Sequence, residues 1–196
     1  MDNTLADVLN KIFKNSEKYD IKFKVSSILD GSSPIDAETV APDDPANYKG
    51  EFFKQTIRLN KDVLTNATKE YILVTLYHEV VHAYLNYELN RLGQARFEMG
   101  YPALAVYKTE VKYDELGKQF KIGVFVFKED HSEAGYYIDT LEKIIKDYNP
   151  NILQNTARIM AKAGMVTLTD DEKKINFRER GIDKTLGQQE GSKCSN

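Results

Sequence analysis

The sequence predicts a mixed α+β fold, with a small sheet and several helices, and two patterns in the chain predict it. Three segments alternate apolar with polar residues, which is the pattern of half-buried strands. Other segments repeat apolar residues every three or four positions, which is the pattern of amphipathic helices. The chain has 196 residues, of which 41% are apolar, so it can bury a core. We expect one domain over residues 1–168, followed by a polar, partly flexible C-terminal segment, residues 169–196.

The first half of the chain contains the longest helical pattern. Apolar residues at helical spacing predict a first helix over residues 4–17, and the alternation in YDIKFKVSSI predicts a strand. Residues 30–50 contain most of the prolines and predict a long loop. The segment FFKQTIRLN predicts a second strand. A long helix is predicted next, with Asn66 as its N-cap, Leu92 as its last residue and Gly93 as the stop signal.

The second half of the chain alternates predicted loops, helices and one strand. Residues 94–102 predict a loop, and residues 103–117 predict a helix. The alternating segment KQFKIGVFVFK predicts the third strand. A helix over residues 131–148 is predicted to open with a capping box formed by Asp130 and Glu133. The segments ILQNTARIMAKAGM and DDEKKINF predict further helices, and the last dozen residues are expected to be loosely held.

The segment YHEVVHAYL holds two of the three histidines of the chain. Residues four apart lie on one helical face, so His78 and His82 can point at a common metal ion. Glu79 lies about 100° around the helix from His78, close enough to accept a proton from a water on that metal. This H-E-x-x-H spacing is typical of zinc hydrolases, in which two imidazoles hold Zn²⁺ and the glutamate is the general base. The alternative is a metal-free helix with two surface histidines.

A catalytic zinc ion needs a third protein ligand and an open position for water. The metzincin continuation is absent, because Leu85 and Glu88 stand where that pattern requires glycine and histidine. His131 falls on the apolar stripe of its predicted helix, where a histidine is more often a core residue than a ligand. Because the other two histidines of the chain already form a metal pair, we expect His131 to be the third ligand. Glutamate is the alternative ligand type, as in thermolysin-like sites. The glutamate candidates are Glu133, which is the best placed, and Glu98, Glu110 and Glu129.

A peptide-hydrolysing site also needs a hydrogen-bond donor for the oxyanion and a surface that holds the substrate. Tyrosines are candidate donors, although packing is the more common role of a tyrosine. The candidates are Tyr101, Tyr136 and Tyr137. The strand at Thr56–Asn60 is a candidate edge to which an extended peptide could add.

Composition argues against several classes of partner. The net charge is −3 and lysines are scattered among acidic residues, so no nucleic-acid partner is predicted. The chain lacks the run of roughly 18 apolar residues that a membrane span requires. The single cysteine, Cys194, excludes an internal disulfide and a zinc site built from cysteines. The first residues form an amphipathic helical pattern rather than a secretory leader, and we leave open a cytoplasmic location or export after removal of a leader.

The stretch TLYHEVVHAYL, with the preceding TIRLN strand and the NATKEYI helix start, resembles the SprT-like zinc metallopeptidase family, whose helix reads H-E-x-x-H-A-Y. The resemblance is closer to small SprT-like proteins of Bacteroidetes-type bacteria. In those proteins a later histidine that opens a helix looks like the third ligand, and the C-terminus often ends near G-[ST]-K-C, as GSKC does here. The resemblance covers about residues 52–148 and this C-terminal stretch.

The resemblance implies a zincin-like, minigluzincin-like α+β domain with the active-site helix under a small sheet. It implies one Zn²⁺ per chain on His78, His82 and His131, with Glu79 as general base, and a protein or peptide as substrate. The cysteine-rich zinc ribbon of other members is absent, so their DNA-linked role is not implied. The alternative function is a zinc-binding but catalytically silent module, used for binding or associated with a toxin.

Overall fold

The structure, a computed structural model, describes most of the chain between residues 19 and 193. The described residues are 19–26, 35–40, 53–102, 104–113, 119–127, 132–181 and 183–193. The predicted mixed α+β class is confirmed, with more helix than strand among these residues. The predicted helix over residues 4–17 lies outside them. No helix in the described ranges is both long and apolar enough to cross a membrane.

Periodicity in the sequence predicts most of the helices and strands correctly. The strands are β1 (Tyr19–Ser26), β2 (Ala37–Val40), β3 (Phe53–Asn60), β4 (Leu104–Tyr113) and β5 (Gln119–Phe127). The helices are α1 (Lys61–Asn66), α2 (Lys69–Leu92), α3 (Gln94–Gly100), α4 (Ser132–Tyr148), α5 (Gln154–Lys162) and α6 (Asp170–Arg180), followed by a 3-10 turn at Lys184–Leu186. Strands β1, β3 and β5 and helices α2, α4, α5 and α6 confirm predictions.

Strands β1, β3 and β2 form one sheet in that spatial order, so β3 is the central strand. The prediction that Thr56–Asn60 is an edge open to substrate is therefore wrong, because both sides of a central strand are used by its neighbours. Among the described strands, β2 lies at an edge of this sheet instead. The loop predicted for residues 30–50 is wrong at these four positions, which form β2. A strand this short gives little signal in the sequence among the prolines and turn formers around it.

Strands β4 and β5 form an antiparallel pair, registered from Leu104 opposite Phe127 to Tyr113 opposite Gln119. The helix predicted over residues 103–117 is therefore wrong. The segment mixes helix formers such as alanine and lysine with β-branched and aromatic residues, and pairing with the neighbouring strand decides its conformation.

Helix α2 starts later than predicted and ends as predicted, and the chain that follows it differs from the prediction. Asn66 ends helix α1 rather than capping α2. Helix α2 begins two residues after Ala67, and the hydroxyl of Thr68 accepts a hydrogen bond from the amide of Tyr71 at 3.3 Å, as an N-cap does. Gly93 ends the helix as predicted, with a φ of 74° that a residue with a side chain rarely adopts. The loop predicted for residues 94–102 is wrong, because α3 occupies most of it.

The chain divides into two compact units. Of the described residues, the first unit contains 19–24, 38–40, 53–58, 79–102, 104–113 and 119–127, and the second contains 25–26, 35–37, 59–78, 132–181 and 183–193. In the first unit Ile57, Ala83 and Phe97 are fully buried. The second unit has an apolar core formed by Val63, Ala67, Tyr71, Val74, Ile138, Leu141, Ile145, Ile152, Ala157, Met160 and Ala161.

The C-terminal residues of the second unit bind two glutamates that are fully buried, Glu70 and Glu179. The amide and the hydroxyl of Ser192 donate to the Glu70 carboxylate at 2.8 Å each. The amides of Glu190 and Gly191 donate to the Glu179 carboxylate at 3.0 Å each. These are hydrogen bonds to charged acceptors, which are stronger than those between neutral groups. Residues 190–192 are thus anchored, contrary to the expectation that the last dozen residues are loosely held.

Candidate functional site

Helix α2 carries all three residues of the H-E-x-x-H motif. The helix runs without a break through the motif, so His78 and His82 lie about one turn apart on the same face. Glu79 follows His78 directly and lies about 100° around the helix axis from it. The helix that carries the motif is therefore confirmed, and metal binding by the motif stays a prediction.

Burial holds the imidazole of His78 in its neutral form. Burial lowers the pKa of this imidazole to about 4, so the ring carries no proton charge at neutral pH. A neutral imidazole keeps a lone pair on one ring nitrogen, and a metal ligand needs that lone pair. The protonation state of His78 thus fits the role of a zinc ligand.

The imidazole of His78 lies against the turn that follows α5, in the same unit. A side-chain carbon built on Gly164 would lie 2.9 Å from Cε1 and 3.2 Å from Nε2 of His78. Gly164 has a φ of 79°, Ala163 before it has φ −60° and ψ 133°, and the Met165 amide donates to the Lys162 carbonyl at 3.0 Å. These values match a type II turn with glycine at its third position. The backbone approaches the imidazole more closely than a residue with a side chain would permit.

The carboxylate of Glu79 is buried in the first unit, at 7% exposure, and is bound by a residue of β2. The Thr39 hydroxyl lies 2.6 Å from Oε2 of Glu79 and 3.0 Å from the Glu79 carbonyl oxygen, and it donates to the glutamate. A buried carboxylate needs such donors, because burial without them is costly. Thr39 thereby restricts the orientation of the group that is expected to act as the base.

His82 is half-buried in the first unit, and the helix next to it is tied to the sheet. The side-chain amide of Gln55, on β3, donates a hydrogen bond to the carbonyl of Ala83. Both residues are buried, with exposed fractions of 2% and 0%, so water does not compete for this bond. The bond fixes the helix backbone directly after His82 against the central strand.

The predicted third ligand, His131, lies outside the described residues, as does Glu129. The side chains of Glu110 and Glu133 also lie outside the described part, although the backbone places these residues in β4 and α4. Glu98 is exposed on α3 and accepts a hydrogen bond from Gln94 at 2.9 Å, which is an ordinary surface contact. Within the described ranges no three His, Cys, Asp or Glu side chains form a group that could hold a metal ion. His131 as the third ligand stays a prediction.

A hydrogen-bond cluster in the first unit occupies one of the candidate oxyanion donors. The Tyr101 hydroxyl donates to the Glu88 carboxylate at 3.1 Å and lies 2.7 Å from the Tyr84 hydroxyl. The guanidinium of Arg91 also donates two hydrogen bonds to Glu88, at 2.8 and 2.6 Å. Burial and the bond to Tyr84 raise the pKa of Tyr101, so its hydroxyl keeps its proton. That proton is committed to Glu88, which favours a packing role for Tyr101.

The other two tyrosines proposed as oxyanion donors are on α4. Tyr137 is half-buried, and the side chain of Tyr136 lies outside the described part. Both therefore stay candidates.

Sequence patterns do not identify the residues that position the motif. Thr39 lies in a segment with loop composition, and Gly164 lies in a segment with helical periodicity. The available signal for Gly164 is a glycine at the end of a helical pattern, where helices commonly stop. Gln55 belongs to a correctly predicted strand, but its partner is 28 residues away in the chain.

The donor set fits zinc. Zinc prefers imidazole nitrogen, and His78 is neutral, as a ligand must be. Glu79 follows His78 directly in the helix, and its carboxylate is oriented by Thr39. Comparisons with protein-family models, with curated proteins and with solved structures find no match for this chain. Membership of the SprT-like family stays a prediction from the motif.

Proposed function

We propose that this protein is a zinc-dependent metallopeptidase of the SprT-like type, with a zincin-like fold. The observation that carries the proposal is the unbroken helix α2, which presents His78, Glu79 and His82 within little more than one turn. The neutral state of the His78 imidazole supports its role as a ligand. The hydrogen bond from Thr39 to the Glu79 carboxylate supports the role of Glu79 as an oriented base.

Each residue of the motif has a separate role in this proposal. His78 and His82 would hold one Zn²⁺ per chain, with His131 as the predicted third ligand. When bound, Zn²⁺ would lower the pKa of a water towards about 7 and polarise the carbonyl of the scissile peptide bond. Glu79 acts as general base, accepts the proton of the attacking water and delivers it to the leaving amine. The bond from Thr39 keeps one oxygen of Glu79 fixed, so the carboxylate does not have to be oriented anew in each turnover.

The substrate class in this proposal is an extended protein or peptide segment. Strand β2 lies at an edge of its sheet, and it carries Thr39, which contacts Glu79. An extended peptide that adds to the outer side of β2 would pass close to the carboxylate, and peptides bind readily to exposed strand edges. Strand β2 therefore replaces β3 as the expected substrate-binding edge.

The alternative is a zinc-binding module without peptidase activity. The observation that favours it is the burial of Glu79, whose carboxylate is 7% exposed and bound by a threonine, as a structural carboxylate can be. Both functions require zinc on His78 and His82. They differ only in whether Glu79 transfers protons.

Metal analysis and one conservative variant test the proposal. We expect one zinc ion per wild-type chain, and its loss in His78→Ala. Glu79→Gln keeps the shape of the side chain and is expected to retain zinc but to abolish cleavage of a diverse library of internally quenched peptides. Cleavage of the library by the wild type alone supports the peptidase. Equal behaviour of the two proteins towards the library, including no cleavage by either, refutes the peptidase and leaves the silent module. A wild type that binds no zinc refutes both.

A further inference from the structure

We propose that Gly164 is the residue that positions the His78 imidazole for metal binding, a role that rests on the proposed zinc-dependent function. The turn Lys162–Met165 brings its backbone against the part of the imidazole ring that contains Cε1 and both nitrogens. A side-chain carbon on Gly164 would lie 2.9, 3.2 and 3.4 Å from Cε1, Nε2 and Nδ1. Because Gly164 has no side chain, the His78 ring can lie in this position without a clash.

The turn is anchored to the end of α5 by backbone hydrogen bonds. The amide of Ala163 donates to the Met160 carbonyl at 3.2 Å, and the amide of Val166 donates to the Lys162 carbonyl at 3.1 Å. Helix α5 is in turn fixed by its buried side chains, because Met160 and Ala161 are fully buried in the core of the second unit. A clash at Gly164 is therefore relieved by rotation of the His78 side chain rather than by displacement of the turn.

The size of that rotation decides its effect on a metal ion. Carbon atoms in contact are normally about 3.5 Å apart or more, so a carbon at 2.9 Å would push Cε1 away by about 0.6 Å. Metal–ligand distances tolerate shifts of only about 0.2 Å. Any residue other than glycine at position 164 would thus carry His78 out of ligand geometry. Glycine at this position serves two purposes, since the positive φ of the type II turn also requires it.

Substitutions at two glycines separate these purposes. Gly164→Ala introduces both the clash and the backbone strain. Gly164→Asn introduces the same clash, but asparagine adopts a positive φ more readily than alanine. Gly93→Ala is the matched control, because Gly93 has a φ of 74° and a side-chain carbon there meets no atom within 4 Å. Zinc affinity of the full-length chain is measured by competition with a chromophoric chelator. Thermal unfolding of each metal-free protein is recorded in parallel.

We expect both Gly164 variants to unfold cooperatively and to bind zinc at least about tenfold more weakly than the wild type. Gly93→Ala is expected to bind zinc as the wild type does. Wild-type zinc affinity in a folded Gly164 variant overturns the inference and leaves the zinc-dependent function intact. Loss of cooperative unfolding in both Gly164 variants, with Gly93→Ala folded, assigns Gly164 to the turn alone and also overturns it. A wild type that binds no zinc overturns the proposed function itself.

Discussion

The substitution Gly191→Ala tests how firmly the C-terminal residues are held against the start of helix α2. A side-chain carbon on Gly191 would collide with Oε2 of Glu70 and would lie 2.6 Å from Cβ of Thr68. Neither neighbour can give way easily, because Glu70 and Thr68 are both fully buried. The backbone of Gly191 lies outside the positive φ region, so the effect of alanine is steric and not a matter of backbone strain.

The expected loss of stability follows from the contacts that the shifted segment would break. Overpacking at a site that cannot relax costs about 1–3 kcal/mol. A broken hydrogen bond to a buried charged group costs about 1.5–3 kcal/mol, and Ser192, the next residue, makes two such bonds to Glu70. We therefore expect Gly191→Ala to lower the free energy of unfolding by about 3 kcal/mol.

Equilibrium unfolding in urea, followed by far-ultraviolet circular dichroism, measures this difference. Gly135→Ala is the matched control, because Gly135 lies in α4 and a side-chain carbon there meets no atom within 4 Å. That control is expected to leave the protein as stable as the wild type or more stable, by about 0.5–1 kcal/mol, since alanine favours helix. If Gly191→Ala costs less than about 0.5 kcal/mol, a difference typical of a surface site, the C-terminal residues are not docked on Glu70 as described.

Three further predictions concern the proposed site. Thr39→Val is expected to lower kcat on the quenched-peptide library at least about tenfold with unchanged zinc affinity, because the Glu79 carboxylate loses its orienting hydrogen bond. Thr39→Ser keeps a hydroxyl and is expected to retain the wild-type kcat. Equal kcat values in the Val and Ser variants contradict this prediction. His131→Ala is expected to weaken zinc binding at least about tenfold, and Glu133→Gln is expected to leave it unchanged; the reverse result in chelator competition makes Glu133 the ligand. In the metal-free protein, His78 stays neutral down to about pH 4, whereas in the unfolded chain it takes up a proton below its ordinary pKa of about 6.5. The contribution of neutral His78 to the free energy of unfolding is thus fully present above about pH 6.5. As the pH falls towards 4, the free energy of unfolding decreases by up to about 1.4 kcal/mol per pH unit. Urea unfolding of the wild type and of His78→Asn between these pH values measures this decrease. Identical slopes of the free energy of unfolding against pH for the two proteins contradict the argument.

Long, strongly periodic segments determine their own conformation, and these are the elements that the sequence predicts well. Helix α4 and strands β1, β3 and β5 carry one clear period each, whereas α2 is recognised by its length and by Gly93 at its end. The segment of β4 carries two competing patterns, and only its pairing with β5 favours the strand. Helix α3 begins at Gln94, directly after Gly93, which marks the end of α2. A glycine that ends one helix gives no sign that another helix begins at the next residue. Local sequence carries too little information at such points, because neighbours distant in the chain decide them.

The motif and its positioning residues differ in the same way. His78, Glu79 and His82 are read from their spacing, because one helix provides both their order and their geometry. Thr39 reaches Glu79 from 40 residues away, and Gly164 reaches His78 from the end of another helix. Contacts of this kind depend on the tertiary fold, so a single sequence does not reveal them. The same reasoning explains why spacing alone ranks His131 and Glu133 as rival ligands without deciding between them.

The burial of polar groups on helix α2 itself argues for a functional site. Glu70 is a fully buried carboxylate with a structural explanation, because it binds the amide and the hydroxyl of Ser192. Glu79 is nearly as buried, at 7% exposure, and its carboxylate accepts a hydrogen bond from Thr39. His78 is half-buried, and its lowered pKa removes stability from the metal-free protein as the pH falls below about 6.5. Residues that lower stability are expected where function requires them. A metal ion bound by neutral His78 would stabilise the folded protein and offset this loss.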